Sequence, residues 1–367
     1  MTLIKAAICH ESKTDLIVEE IKLLSPEQDE IRVTVEACAI CHSDITYIDG
    51  GWSIGYPVVL GHEVSGKVTE IGQGTESELE IGDQVVVSLI RTCGQCLACK
   101  RGHDIACTGK LRLHETSPLA TKTGEMITHG LNTGGFAEEV VVHVSQCVPV
   151  PKDLPTTFAA LLGCGVMTGL GAVFNTAKVK SGDITVIVGC GGVGLAAVQG
   201  AKISEAEYVI AVDPLANKRK LAIDFGATHT LEPSEDLHEI IQDITGGYLA
   251  DFAFVSTAAP SAISMSMELL APMGALVLVG MPEDGVKSEF DPGLLAAKNQ
   301  RILGSKMGTS RPHLDIPAMV DLWRDGKLDL ENMVSSIHPL ENINDALDEM
   351  RNGSAIRAVI CPGVKEV

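Results

Sequence analysis

Positive charge, aromatic rings and long apolar runs are all scarce in this 367-residue chain. Lys and Arg number 28 against 48 Asp and Glu, a formal net charge of −20. Such a chain cannot replace the counterions condensed on nucleic acid phosphate, which excludes nucleic acid as a partner. It is equally unsuited to anionic membrane surfaces, and the charge is read as a device for solubility. No apolar run approaches the roughly 20 residues a membrane helix needs. The opening MTLIKAAICHESK also lacks the charged-then-apolar pattern of a secretory signal. A cytoplasmic location is therefore expected. Aromatics make up 4% of the chain, and the 37 glycines are scattered rather than clustered. This is the composition of a globular α/β protein, long enough for two domains.

Cysteine is not scarce. There are eleven, an odd number, and reducing conditions disfavour stable disulfides. Four of them, Cys93, Cys96, Cys99 and Cys107, fall within "CGQCLACKRGHDIAC" at the spacing C-x2-C-x2-C-x7-C. Tight C-x2-C turns supply adjacent thiolates to a tetrahedral zinc ion. Lys100 and Arg101 would partly offset the charge of four thiolates around one ion. The spacing also admits an iron–sulfur cluster. A redox pair fits less well, since two C-x2-C turns would share one cysteine. Four cysteine ligands close a site to substrate, so this loop is read as structural and the chemistry is sought elsewhere.

Other candidate ligands are dispersed. Cys41 lies in "ACAICHSDI", His62 and Glu63 in "LGHEVSG", and Cys164 in "LLGCGVMTG". Two cysteines and one histidine would leave a fourth zinc position open, the arrangement of a catalytic metal. Singly, each is more simply a small buried thiol or a hydrogen-bonded core histidine.

The middle of the chain is more explicit. "DITVIVGCGGVGLAAVQGAK" is a β-branched strand, Ile184 to Val188, followed by the turn Gly189, Gly191, Gly192, Val193 and Gly194 and then a small-residue helix. A second strand, "YVIAVD", ends at Asp213, nineteen residues past Gly194. A tight turn, a helix N-terminus facing a pyrophosphate and an acid for a ribose hydroxyl form the dinucleotide-binding pattern. The Asp213 carboxylate would repel a 2′-phosphate, so NAD is favoured over NADP.

The βα rhythm continues to about residue 306, where apolar runs flanked by glycine suit a doubly wound parallel sheet. Before residue 166 the strands alternate or run short, as in an antiparallel β-rich domain. The expected architecture is α/β: a β-rich domain of residues 1–165 and 307–367, and a nucleotide-binding domain of residues 166–306. Helices are expected over Ile316 to Asp325 and Ile343 to Met350, and a last strand in "AIRAVICP". The long segment from Thr108 to Thr133 has no strong period.

Taken together and in order, "CHSD", "GHE", the four-cysteine loop, "GCGVMTG", "GCGGVG" and "AIRAVI" make the chain resemble the zinc-dependent medium-chain alcohol dehydrogenases over nearly its full length. The resemblance implies a GroES-like catalytic domain beside a Rossmann domain. It implies two zinc ions per chain: a catalytic one on Cys41, His62 and Cys164, and a structural one on Cys93, Cys96, Cys99 and Cys107. Glu63 would lie behind the catalytic metal, and Asp44 would orient His62. His42 and Arg357 would meet the cofactor pyrophosphate, Asp213 and Lys218 the adenosine ribose, and Thr168 the nicotinamide side. Hydride would pass between an alcohol carbon and NAD, with the metal acting as Lewis acid.

Ser43 would take the alcohol proton and pass it through the ribose hydroxyls. Many relatives place a histidine five positions after the first ligand; here that position is Thr46, which cannot hold a proton near neutral pH. By alignment with the family, Trp52, Leu89 and Met281 would line the pocket, which favours a hydrophobic primary or secondary alcohol, cyclic or aromatic ones included. Two alternatives are weighed against this. One is oxidation of a formaldehyde–thiol adduct, with Lys110 and Arg112 as an anion site. The other is a zinc- and nucleotide-binding protein without turnover. The family likeness further implies a homodimer or homotetramer, built by pairing edges of the nucleotide-domain sheet.

Overall fold

A computed structural model describes residues 1–364. The chain divides into two units, Met1–Cys164 with Arg311–Asp325 and Leu330–Val367, and Gly165–Ser310 with Gly326–Asp329. Among the described residues no helix is long and apolar enough to cross a membrane.

The first unit holds a closed barrel of five strands in the order Thr2–Cys9, Ile17–Leu23, Leu119–Ala120, Met126–His129 and Val58–Val59. Beside it lies a seven-stranded sheet, ordered Cys147–Pro149, Gln84–Val87, Glu63–Ile71, Glu30–Ala39, Ala358–Ile360 and Ser336–His338, with Glu139–His143 also paired to Glu30–Ala39. The pairing is antiparallel apart from Ser336–His338 on Ala358–Ile360 and Val58–Val59 on Met126–His129. One apolar cluster, including Ile8, Ile21, Val33, Leu60, Ile127, Phe136 and Val141, fills the interior.

Two barrel strands come from the segment that carries no clear sequence period. Leu119–Ala120 and Met126–His129 pair as a hairpin, closed by Gly124 at φ +99°. They are too short for alternation to register. The Thr-Gly of "TKTGEM" was the available turn signal.

The second unit is a six-stranded sheet with every pair parallel, ordered His229–Leu231, Tyr208–Val212, Ile184–Val188, Ala250–Val255, Leu270–Leu278 and Arg301–Gly304. This is the doubly wound order of a dinucleotide-binding fold. Its central strands are apolar on both faces, as helix cover on each side requires. Helix Gly165–Gly171 packs closely on Gly192–Ile203: a Cβ on Gly169 would come within 2.3 Å of the Val193 carbonyl oxygen.

Boundaries shift modestly from expectation. The helix expected from Ile316 begins at Pro312 and ends at Arg324, because proline at the first turn costs no hydrogen bond. The final strand narrows to Ala358–Ile360.

Candidate active site

Three chain turns in the first unit bring one set of side chains together. Strand Glu30–Ala39 runs out into Cys41, which begins the helix His42–Ile48. Gly61, at φ +87°, turns the chain into strand Glu63–Ile71, so that His62 and Glu63 stand at the strand's start. A side chain at Gly61 would collide with Phe136. Cys164 follows helix Thr156–Leu161, and Gly163 before it fits against the Glu63 backbone and the Val87 carbonyl.

One ligand atom from each of Cys41, His62, Glu63 and Cys164 lies within 4.8 Å of all the others, and all four residues are buried. Asp44 stands behind them. Its Oδ1 lies 3.1 Å from His62 Nδ1 and accepts the Gly61 N–H at 2.9 Å, while Oδ2 accepts the Cys41 N–H at 3.1 Å. With Nδ1 donating to the carboxylate, Nε2 of His62 presents a lone pair, and that atom is buried without a hydrogen-bond partner. An orphaned imidazole nitrogen facing two thiols is the donor set of a borderline-soft divalent ion such as zinc, so the residues fit the metal the sequence implies.

The four side chains interact strongly with one another and with Asp44 and Arg357. The hydrogen bond with Cys164, aided by His62 and Arg357, holds the Cys41 thiol well below its ordinary value despite burial. Burial would lower the pKa of His62, but the Asp44 carboxylate and Cys41 raise it well above the ordinary value. Glu63 is pushed up to about 8 by burial and by Cys41, against the pull of Arg357. Arg357 Nη1 pairs with Glu63 at 3.1 Å and donates to the Ile40 carbonyl at 3.1 Å, almost wholly buried. Ser43 Oγ lies 3.7 Å from Cys41 Sγ. Thr46 donates its hydroxyl proton to the His42 carbonyl at 2.9 Å. His42 is exposed on the helix's first turn.

The second cluster is the four-cysteine loop. Cys93, Cys96, Cys99 and Cys107 place their sulfurs within 4.8 Å of one another, and none of the eleven cysteines is bridged. Backbone N–H groups of Cys96, Cys93 and Cys99 point at the sulfurs of Cys93, Cys107 and Cys96 at 3.3, 3.3 and 3.5 Å. Backbone N–H groups of Cys99 and Thr108 pull the Cys96 thiol down to about 5, while burial and its neighbours push Cys99 up to about 12. Four thiols this close cannot all ionise unless a cation joins them, and these residues too fit a zinc ion.

In the second unit, the turn after Ile184–Val188 is shaped for a ligand. Gly189 sits at φ +94°, and a Cβ on Gly194 would come within 1.8 Å of the Gly189 carbonyl oxygen. A Cβ on Gly191 would meet nothing within 4 Å, so this backbone is open to close approach. Gly192 and Val193 begin the helix. Asp213, buried at the end of Tyr208–Val212, accepts the N–H of Cys190 at 2.7 Å and that of Leu215 at 2.9 Å. Lys218 is half-buried in the following helix. These residues fit a dinucleotide. Thr168 is buried, with its hydroxyl 3.7 Å from Met307 Sδ.

Of the expected pocket residues, Trp52 and Leu89 are half-buried in the first unit, and Trp52 meets Tyr47 edge to face at 5.2 Å. Met281 is exposed in the second unit. Arg112, weighed as an anion site, is committed elsewhere: its Nε donates to the buried Glu30 at 2.7 Å, its Nη2 reaches the same carboxylate, and Glu27 lies 3.4 Å from Nη1. Sequence reading missed a further polar cluster, in which Arg91, His129, Asn132 and Gln146 are hydrogen-bonded together. Two of the four, His129 and Asn132, lie in the segment without a period.

Comparison with known proteins agrees with this geometry. Residues 27–152 match the alcohol dehydrogenase GroES-like domain, and residues 192–324 the zinc-binding dehydrogenase domain. Alcohol dehydrogenase B of Mycobacterium tuberculosis is 35% identical, with 97% of each chain covered. A probable S-(hydroxymethyl)glutathione dehydrogenase 1 of Schizosaccharomyces pombe is 33% identical, covering 97% of this chain and 96% of its own. The crystal structure of benzyl alcohol dehydrogenase from Acinetobacter calcoaceticus superposes with a TM-score of 0.91 at 31% identity, over 98% of this chain and 99% of its own. With both domains matched and relatives aligned end to end, the chain belongs to the zinc-dependent medium-chain alcohol dehydrogenase family.

Proposed function

We propose that this protein interconverts a hydrophobic primary or secondary alcohol, cyclic or aromatic ones included, with its aldehyde or ketone, using NAD and two zinc ions per chain. The observation that carries the reading is the convergence of Cys41, His62 and Cys164 on one buried point, with the orphaned Nε2 of His62 aimed into it. Zinc held there would supply Lewis acidity to the substrate oxygen, and NAD would accept or return the hydride.

The chain's own residues do the rest. Asp44 holds His62 in the tautomer that presents Nε2. Arg357 offsets the charge that Glu63 and the two thiolates bring into a dry site. Ser43, on the first turn after Cys41, takes the alcohol proton. Thr46 offers only oxygen lone pairs outward, because its own proton is spent on the His42 carbonyl, so the proton leaves by way of the ribose hydroxyls and solvent. Asp213 keeps lone pairs for a ribose 2′-OH beyond its two backbone bonds. His42 and Arg357 are assigned to the pyrophosphate, Lys218 to the adenosine ribose and Thr168 to the nicotinamide side. Cys93, Cys96, Cys99 and Cys107 hold the structural ion. The pocket assignment of Trp52, Leu89 and Met281 supports an apolar substrate. A thiol adduct of formaldehyde is the weaker reading, because Arg112 is already neutralised by Glu30.

A homodimer or homotetramer in the cytoplasm completes the proposal. The test is to follow reduced nicotinamide at varied alcohols, with NAD and NADP compared and metal content measured on the same sample. Formaldehyde turnover with and without added thiol separates the two substrate readings. No turnover with any alcohol, by protein carrying two zinc ions, would favour the non-catalytic reading.

A further inference from the structure

Arg91 is almost wholly buried, and among the described residues no carboxylate hydrogen-bonds it. Its Nε donates to Gln146 Oε1 at 2.6 Å, Nη1 to the Leu113 carbonyl at 2.8 Å, and Nη2 to His129 Nδ1 at 3.1 Å and the Asn132 carbonyl at 2.7 Å. An arginine can only donate, so His129 must present a lone pair at Nδ1 and carry its proton on Nε2. That nitrogen donates to the Thr133 carbonyl at 2.6 Å. Gln146 completes the knot by donating to the carbonyls of Ser88 and Asn132 at 2.8 and 3.1 Å. Burial lowers the Arg91 pKa to about 10, still far enough above neutrality for the charge to persist.

A buried cation satisfied only by neutral acceptors is costly unless the arrangement it enforces is needed. What it enforces is an unusual turn. Leu131 and Asn132 are consecutive non-glycine residues in the left-handed region, at φ +49° and +62°, a conformation that such residues leave unless held. The turn is tied on one side to Leu89, whose carbonyl accepts from Asn132 Nδ2 at 3.0 Å. On the other side the chain runs straight onto the loop before His62: Gly135 N–H donates to the Gly61 carbonyl at 2.7 Å and Phe136 N–H to the Leu60 carbonyl at 2.9 Å.

We infer that Arg91 is a positioning residue for substrate selection, a clasp that holds the Leu131–Asn132 turn to Leu89 and to the Leu60–Gly61 segment leading into His62. This rests on the proposed site, in which Leu89 lines the substrate pocket. Loosening the clasp moves the apolar wall without touching a metal ligand, so a bulky alcohol suffers more than a small one.

The experiment compares kcat/KM for benzyl alcohol and for ethanol in wild type, Arg91→Met and Asn132→Gly, with thermal midpoint and zinc content measured alongside. Asn132→Gly keeps the carbonyl that Arg91 binds and suits the left-handed backbone; it removes only the tie to Leu89, so it is expected to fold even if Arg91→Met does not. The ratio of benzyl alcohol to ethanol efficiency is expected to change about threefold or more in Asn132→Gly and about tenfold or more in folded Arg91→Met, chiefly through KM for benzyl alcohol. A ratio within about twofold of wild type in Asn132→Gly, and in Arg91→Met where it folds, would overturn the inference and leave the cluster as a stability element. If wild type with full zinc turned over neither alcohol, the proposed activity would fall, and this role with it.

Discussion

The Asp44 carboxylate lies 3.1 Å from the Nδ1 of His62, with both side chains wholly buried. The same carboxylate accepts from the backbone of Cys41 and of Gly61. One acid therefore sets the orientation of His62 and the main chain on either side of the cluster. Asn at position 44 offers one accepting oxygen where the carboxylate offers two. Asp44→Asn is expected to weaken zinc binding at the Cys41, His62 and Cys164 site by roughly 10- to 100-fold. Chelator competition on otherwise folded protein measures it; an unchanged affinity would show that the carboxylate does not orient the ligand.

The two cysteine clusters call for different outcomes. Cys41→Ser is expected to abolish turnover and remove one zinc ion, while the protein stays folded and binds NAD. Cys96→Ser is expected chiefly to lower the thermal midpoint, since a closed site contributes folding energy. Metal analysis of active enzyme decides it: one zinc per chain would contradict the assignment of two sites.

Asp213 latches the glycine turn and is the acid proposed to meet the ribose. Asp213→Gly frees the N–H groups of Cys190 and Leu215, so affinity for both cofactors should fall. The efficiency ratio of NAD over NADP should fall by about tenfold or more, worth about 1.4 kcal/mol. A wild-type preference for NADP would refute this role for the acid.

The proton path is tested at Ser43 and Thr46. Ser43→Ala is expected to slow alcohol oxidation by on the order of 10²-fold. Thr46→Val should cost far less, because the threonine proton is already engaged by the His42 carbonyl. The measurement is kcat against pH, with a deuterated alcohol to establish that hydride transfer limits. Equal damage in both variants would make Thr46 an obligatory relay member.

His129 makes stability depend on pH. Burial, reinforced by the charge of Arg91, pulls its pKa down to about 3, against an ordinary value of 6.5. Below pH 6.5 the unfolded chain takes up a proton that the folded chain refuses, so the unfolded state binds more protons and stability falls as pH falls. The slope contributed is at most about 1.4 kcal/mol per pH unit, running down towards pH 3. His129→Gln, which keeps a donor and an acceptor, should flatten the loss of thermal midpoint between pH 6.5 and 5. An identical pH profile in the variant would show that this histidine does not titrate in the unfolded chain alone.

Much of the site was legible because its residues sit at signals with local causes. The C-x2-C turns, the glycine turn after Ile184–Val188 and the acid at Asp213 each follow from spacing along a few residues, and short-range geometry leaves them little freedom. The parallel sheet was legible for the same reason, since a strand covered on both faces must be apolar at every position. Cys41, His62 and Cys164 are different. Their separations in sequence carry no period, and each is individually a plausible core residue. Only the pairing of Glu30–Ala39 with Glu63–Ile71, and the fit of Gly163 against Val87 and Glu63, brings them to one point.

The Arg91 knot was wholly a product of tertiary structure. Arg91, Leu113, His129, Asn132 and Gln146 are ordinary polar or apolar residues in a row of letters, and no local rule marks a buried cation whose acceptors are neutral. The short barrel strands Leu119–Ala120 and Met126–His129 escaped notice because two to four residues cannot display alternation, and it is the barrel that brings His129 to Arg91. Local chemistry, acting over a few residues, determined from sequence alone which groups could bind a metal or a nucleotide. Long-range strand pairing and close packing decided which of those groups meet, since contacts between distant segments depend on the whole fold being formed.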